Sequence, residues 1–91
     1  MIYFTLYKPI WQDSRLRTDE KLVANYFWQF TVKNNYSWAN SQTIANTFGL
    51  DVDDVNDTIA KLLEGRWIKY LDCPEGTCIE FVLTKYGEED L

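Results

Sequence analysis

The stretch from Ser37 to Leu71, SWANSQTIANTFGLDVDDVNDTIAKLLEGRWIKYL, leaves this chain little freedom in how it folds. Gly49 and Gly65 divide it. Before Gly49, Ile44, Ala45 and Phe48 fall on one side of a helix; between the glycines, Val52, Val55, Ile59, Leu62 and Leu63 do the same. Ser41 is placed to cap the first of these helices, Gln42 to Phe48, and Asp51 to cap the second, with Asp54 completing an approximate capping box. A glycine just past each pattern is the residue that ends a helix. After Gly65 the pattern changes, and Trp67 to Leu71 reads as a strand.

The flanking sequence supplies more elements. Thr18, followed by Asp19 and Glu20, predicts the start of a long helix over Asp19 to Lys33. Leu22, Val23, Tyr26, Phe27 and Phe30 form its apolar stripe, and Asn34 and Asn35 end it. Cys78 to Thr84 predicts a second strand, with Ile79, Phe81 and Leu83 facing in and Glu80, Val82 and Thr84 facing out. Pro74, Glu75, Gly76 and Thr77 make a four-residue hairpin loop between the two strands. Ile2 to Leu6, bounded by Pro9, predicts a further short strand, which must pair with the hairpin because lone strands are not stable. The fold expected is α+β, one domain over residues 1–91 with its core at about 16–84 and an acidic tail at 87–91.

A chain of 91 residues buries a modest fraction of its surface, so its core must be dense in large side chains. Four Trp, six Tyr and five Phe provide them, and Trp11, Trp28 and Trp38 are candidates for anchors in a homodimer. Nine basic against fourteen acidic residues give a net charge of −5, opposite in sign to a domain built to hold phosphates. The start has no basic n-region, and no run approaches the roughly 18 apolar residues of a membrane span, so a soluble, cytoplasmic protein without a membrane partner is expected. Cys73 and Cys78 flank a turn that can set them opposite each other for a disulfide, whereas a reducing cytosol favours two free thiols. With no His in the chain, these two cysteines cannot by themselves complete a structural zinc site. The same absence leaves acid–base chemistry to groups on exposed turns, and the glycines are isolated and form no phosphate loop. No enzyme, metal, cofactor or small-molecule substrate is therefore expected.

The order of strand, long helix, short helix, third helix and hairpin resembles the winged-helix domains of phage and plasmid replication proteins and related regulators. The resemblance covers about Leu16 to Thr84 and rests on TDEKLVANYFWQF, the tryptophan before SQTIANTFGL, and VDDVNDTIAKLLEGRWIKYL. Its most specific residues are Ser41, Gln42, Ile44, Ala45, Gly49, Leu62, Gly65, Trp67 and Ile68. It implies a small protein of a phage-like mobile element in DNA-associated regulation of replication or transcription. DNA-binding members usually open the third helix with Ser, Thr, Arg or Lys. Here Asp53, Asp54, Asp57, Lys61 and Glu64 face outward, and a phosphate brought to them meets repulsion. Asp51, Asp53 and Asp54 also suit the helix dipole, and Asp57 with Lys61 makes a favourable i, i+4 pair. Arg15, Arg17, Lys21, Arg66 and Lys69 are the candidate DNA contacts. Two readings stand: DNA held through the first helix and the wing, or a basic, nucleic-acid-binding protein held on the acidic face by an adaptor or inhibitor.

Overall fold

Pro9 lies in the first turn of a short helix, α1 (Lys8–Trp11), where its missing N–H costs nothing. The structure is a computed structural model and describes residues 5–38, 40–74 and 76–87. Ile10 of α1 is fully buried. Thr5 and Tyr7, ahead of α1, are held by the second helix, α2 (Thr18–Asn34). The fully buried Asn25 side chain accepts the Tyr7 N–H at 2.7 Å and the Trp11 indole N–H at 3.1 Å, and it donates to the Thr5 carbonyl at 2.7 Å. Such a network uses the polar atoms of a group that would be costly to bury unpaired. Thr5 and Leu6, the described part of the expected N-terminal strand, are thus non-strand; residues 2–4 lie outside the described residues.

The start of α2 differs by one residue from the sequence expectation. Arg17 is the extended cap residue and Thr18 is already helical, while the Glu20 carboxylate accepts the Arg17 N–H at 2.9 Å. The buried line of α2 is Val23, Phe27 and Thr31, with Ala24 beside it; Leu22, Tyr26 and Phe30 are only half-buried. The buried line serves several neighbours at once, since α2 packs on both the sheet and the helix α4. Asn35, with φ 74°, takes the left-handed conformation that ends α2.

A two-residue strand, β1 (Ser37–Trp38), then precedes α3 (Ser41–Phe48). Asn40 caps α3 by accepting the Thr43 N–H at 3.0 Å, one residue ahead of the expected cap Ser41. The Ser41 hydroxyl instead bonds the side chain of Asn56 in α4 (Val52–Glu64) and ties the two helices together. Gly49 stops α3 at φ 68°, and Asp51 caps α4 by accepting the Asp53 N–H at 2.9 Å. Gly65 ends α4 for a reason other than backbone freedom: a Cβ there would lie 2.1 Å from the Trp67 ring. The left-handed residue of this turn is Arg66, at φ 63°.

The hairpin strands are β2 (Ile68–Cys73) and β3 (Gly76–Phe81), leaving only residues 74–75 between them where a four-residue loop was expected. Both pairings are antiparallel and the order is β1-β3-β2, so the third strand is Ser37–Trp38. Register places Ser37, Ile79 and Tyr70 in one row and Trp38, Cys78 and Leu71 in the next. Because side chains alternate, Ile68, Ile79 and Phe81 enter the core and the other row faces away from it. Cys73 and Cys78 are joined by a disulfide on that outer face, where free thiols were expected. The strand expected to run to Thr84 stops at Phe81: Val82 donates to the Trp67 carbonyl, Leu83 is exposed, and Thr84 opens a terminal turn of helix, α5 (Thr84–Gly87).

Helices and sheet meet over one core, in which Val23 and Phe27 of α2, Ile44 of α3, Val55 and Leu62 of α4, and Ile79 and Phe81 of β3 are fully buried. The architecture is α+β, with a three-stranded antiparallel sheet. One polar bond crosses it. Beyond the short β1 the Phe81 N–H has no strand partner on that side, and the buried Thr31 hydroxyl of α2 accepts it at 2.8 Å. Thr31→Val keeps the shape and leaves that N–H unsatisfied, so a loss of about 1–3 kcal/mol is expected in urea unfolding, whereas Thr31→Ser retains most of the stability.

Candidate interaction surface

Every turn of α4 divides cleanly between core and solvent. Val55, Thr58, Ile59 and Leu62 are buried, while Asp53, Asp54, Asp57, Ala60 and Glu64 are exposed. Lys61 behaves differently from its expected pairing with Asp57. Its ammonium turns back across the helix pair to Glu20 of α2, 2.6 Å from Oε1, and donates also to the Arg15 carbonyl at 3.0 Å. Glu20 is 5% exposed, and a carboxylate so placed must be compensated. Burial pushes its pKa up, but the Arg17 N–H and Lys61 outweigh that and hold it below the ordinary value. Lys61 therefore does not neutralise the outer face. Asp53, Asp54, Asp57 and Glu64 make no ion pair among the described residues.

The candidate DNA contacts are mostly committed within the fold. The Arg15 guanidinium forms a two-pronged bond to Asp13 at 2.9 and 2.8 Å and lies 5.0 Å from the centre of the Trp67 ring. Arg17 pairs with Asp19 at 3.6 Å and Glu20 at 3.4 Å. Lys21 donates to the Trp11 carbonyl at 3.0 Å, and Lys69 pairs with Glu80 across the hairpin at 3.5 Å. Lys21 and Arg66, the latter in its left-handed turn, are the two members of this group without a carboxylate partner among the described residues. In sequence the five fall into two groups, Arg15, Arg17 and Lys21 before and at the start of α2 and Arg66 and Lys69 at the base of the hairpin, but the fold sets Arg15 over Trp67 and brings both Arg15 and Arg66 within electrostatic reach of Lys85.

Sequence reasoning passed over Asp13, which organises the first of these groups. It is 8% exposed and accepts Arg15, the Arg15 N–H at 3.0 Å and the Tyr86 hydroxyl at 2.7 Å, while that hydroxyl accepts the Trp67 indole N–H at 2.7 Å. Lys85 donates to the Gly65 carbonyl at 2.7 Å and sits 4.4 Å from the Trp67 ring centre. The Arg15 bonds dominate and hold the Asp13 carboxyl far below the usual carboxylate range; burial and the bond to Asp13 push Tyr86 up. No periodicity marks Asp13, which lies between helices and takes Arg15 from its own turn and Tyr86 from the far end of the chain.

The described surface also carries concavities between its elements. A groove of about 570 Å³ between α2, β1 and α3 is walled by Tyr26, Phe30, Tyr36 and Trp38 with Asn34 and Asn40, and none of its lining residues is charged. Of the expected aromatic anchors, Trp38 is 45% exposed on this groove, whereas Trp11 and Trp28 are half-buried around α1 and α2. A smaller groove of about 170 Å³ runs between α4 and the hairpin. Among the described residues no helix is long and apolar enough to cross a membrane, and no three His, Cys, Asp or Glu side chains are grouped to hold a metal. Comparisons with models of known protein families, with curated proteins and with solved structures return no match.

The two buried carboxylates set the acid response. Both have folded pKa values below their unfolded ones, so their stabilisation is present above the ordinary carboxylate range and is lost as pH falls through it and below. The urea midpoint is expected to fall steadily from about pH 5 downward. Asp13→Asn should lower stability at neutral pH and flatten that fall. A variant with an unchanged acid slope would remove Asp13 from this role.

Proposed function

We propose that this protein is a winged-helix module that binds a basic, nucleic-acid-binding protein through the outer face of α4, as an adaptor or inhibitor. The order α2, α3, α4 and then the β2–β3 hairpin is the order expected of a winged helix, with α4 as its third helix and the hairpin as its wing. One observation carries the choice of partner: the cation of the α4 face is drawn inward to Glu20 while Asp53, Asp54, Asp57 and Glu64 stay exposed and unpaired among the described residues. With a net charge of −5, such a face attracts a positive surface, speeds encounter with it and repels phosphate. Arg66 supports a second reading, DNA-associated regulation of replication or transcription through the base of the hairpin, since its guanidinium has no carboxylate partner among the described residues.

The two readings separate in one experiment. Affinity capture from host lysate with nuclease present is expected to retain a partner of basic, nucleic-acid-binding type, and Asp54→Lys/Asp57→Lys should lose it. Retention by the charge-reversed protein would discard the acidic face as the contact. In parallel, no shift of labelled duplex is expected at micromolar protein in low salt. A duplex shift abolished by Arg66→Glu would establish the second reading instead.

A further inference from the structure

Resting on the acidic-face reading, the groove beside α4 specifies which basic side chain the partner presents. Its walls are Asn56, Ala60 and Leu63 of α4, Ser41 of α3, and Tyr70 and Ile79 of the sheet. At about 170 Å³ it is smaller than the roughly 300–1,000 Å³ of a small-molecule pocket and suits one inserted side chain. Tyr70 shares the core-facing row with Ile79 yet is 55% exposed. On a helix of 100° per residue, Asp53, Asp57 and Glu64 fall within about 40° of one another, next to Ala60 on the rim of the groove. The groove thus has an aromatic wall, polar oxygens from Ser41 and Asn56, and carboxylates along one edge.

We infer that this groove seats an arginine side chain of the basic partner, with Tyr70 as its aromatic wall and Asp57 and Glu64 at its mouth. The rim charge selects a cation, and the ring selects the kind. A guanidinium is planar and weakly hydrated, stacks on an aromatic face and donates in several directions at once, whereas an ammonium holds its water tightly and acts as a point charge. The Ser41 and Asn56 oxygens can accept from a guanidinium inserted between them and the rim carboxylates.

Glycine–arginine and glycine–lysine repeat peptides of equal length and charge, titrated by fluorescence anisotropy at about 50 mM salt, test this where surface charge is weakly screened. The arginine peptide is expected to bind about threefold or more tightly than the lysine peptide. Tyr70→Ala should remove that preference and leave the lysine affinity in place; Tyr70→Leu, which keeps apolar bulk, should do the same, and Tyr70→Phe should retain the preference. Asp53→Lys/Asp57→Lys should weaken both peptides. Equal affinities in the unmodified protein, or a preference that survives both Tyr70→Ala and Tyr70→Leu, overturns the groove assignment while the acidic face stands. Failure of both peptides to bind overturns the two together.

Discussion

The ion pair between Glu20 and Lys61 joins the fold to its surface. A carboxylate 5% exposed is tolerated only where donors surround it, and Glu20 has the Arg17 N–H at 2.9 Å and the Lys61 ammonium at 2.6 Å. The same group therefore caps α2 and ties α4 to it, and the ammonium reaches on to the Arg15 carbonyl, fixing the segment before α2 as well. The tie carries a consequence for charge. Lys61 is the one cation of α4, and its bond inward leaves the outer side of that helix to carboxylates alone. Loss of Glu20 would both loosen the α2–α4 contact and return a positive charge to the side of Asp57.

A second buried carboxylate, Asp13, is linked to the first through Arg15, whose carbonyl accepts Lys61 and whose guanidinium binds Asp13. Asp13 receives Arg15 from its own turn and Tyr86 from α5, and Tyr86 in turn receives the Trp67 indole from the turn after α4. Three segments distant in sequence meet there. The network also dictates a residue that looks, in sequence, like an ordinary helix stop: Gly65 has no Cβ because the Trp67 ring occupies that space, and the left-handed turn passes to Arg66. A bidentate guanidinium on a buried carboxylate differs in kind from a surface pair, since breaking it strands a charge.

What was legible in the sequence was local. The apolar stripe of α4, its Asp51 cap, the Gly49 stop and the outward Asp53, Asp54, Asp57 and Glu64 all follow from helical period and cap chemistry within a few residues. What was missed depends on distant partners. Ser37 and Trp38 have no alternation to mark them as a strand, and they become one because β3 needs a neighbour on that side. Thr5 and Leu6 carry strand-forming chemistry but lie beside Asn25 and Gln29, whose amides take the backbone bonds of Thr5. Lys61 sits four residues from Asp57 and chooses the less hydrated carboxylate across the helix pair. The cysteines were read through an assumed compartment, while the hairpin sets them as diagonal neighbours on one face, Cys78 opposite Leu71 and Cys73 opposite Gly76, with Cα atoms 6.0 Å apart.

The use of a scaffold of this kind for nucleic acid can be weighed from the cations it can release. Of the candidate contacts, Lys69 is in an exposed pair, worth about 0–1 kcal/mol, and Lys21 holds only a carbonyl, so phosphate could draw both away. Arg66 is free of carboxylates among the described residues. Arg15, Arg17 and Lys61 are not releasable on the same terms, because each would abandon a buried carboxylate. The releasable candidates, Lys21, Arg66 and Lys69, are thus outnumbered by Asp53, Asp54, Asp57 and Glu64, on the helix that the winged-helix reading would bring nearest a groove. Counterion release scales with the phosphates neutralised, so a surface whose gains are offset by at least as many repulsions gains little. Toward a positive partner the balance reverses: the four carboxylates attract without first breaking a bond, and the committed cations, already neutralised, oppose the approach weakly.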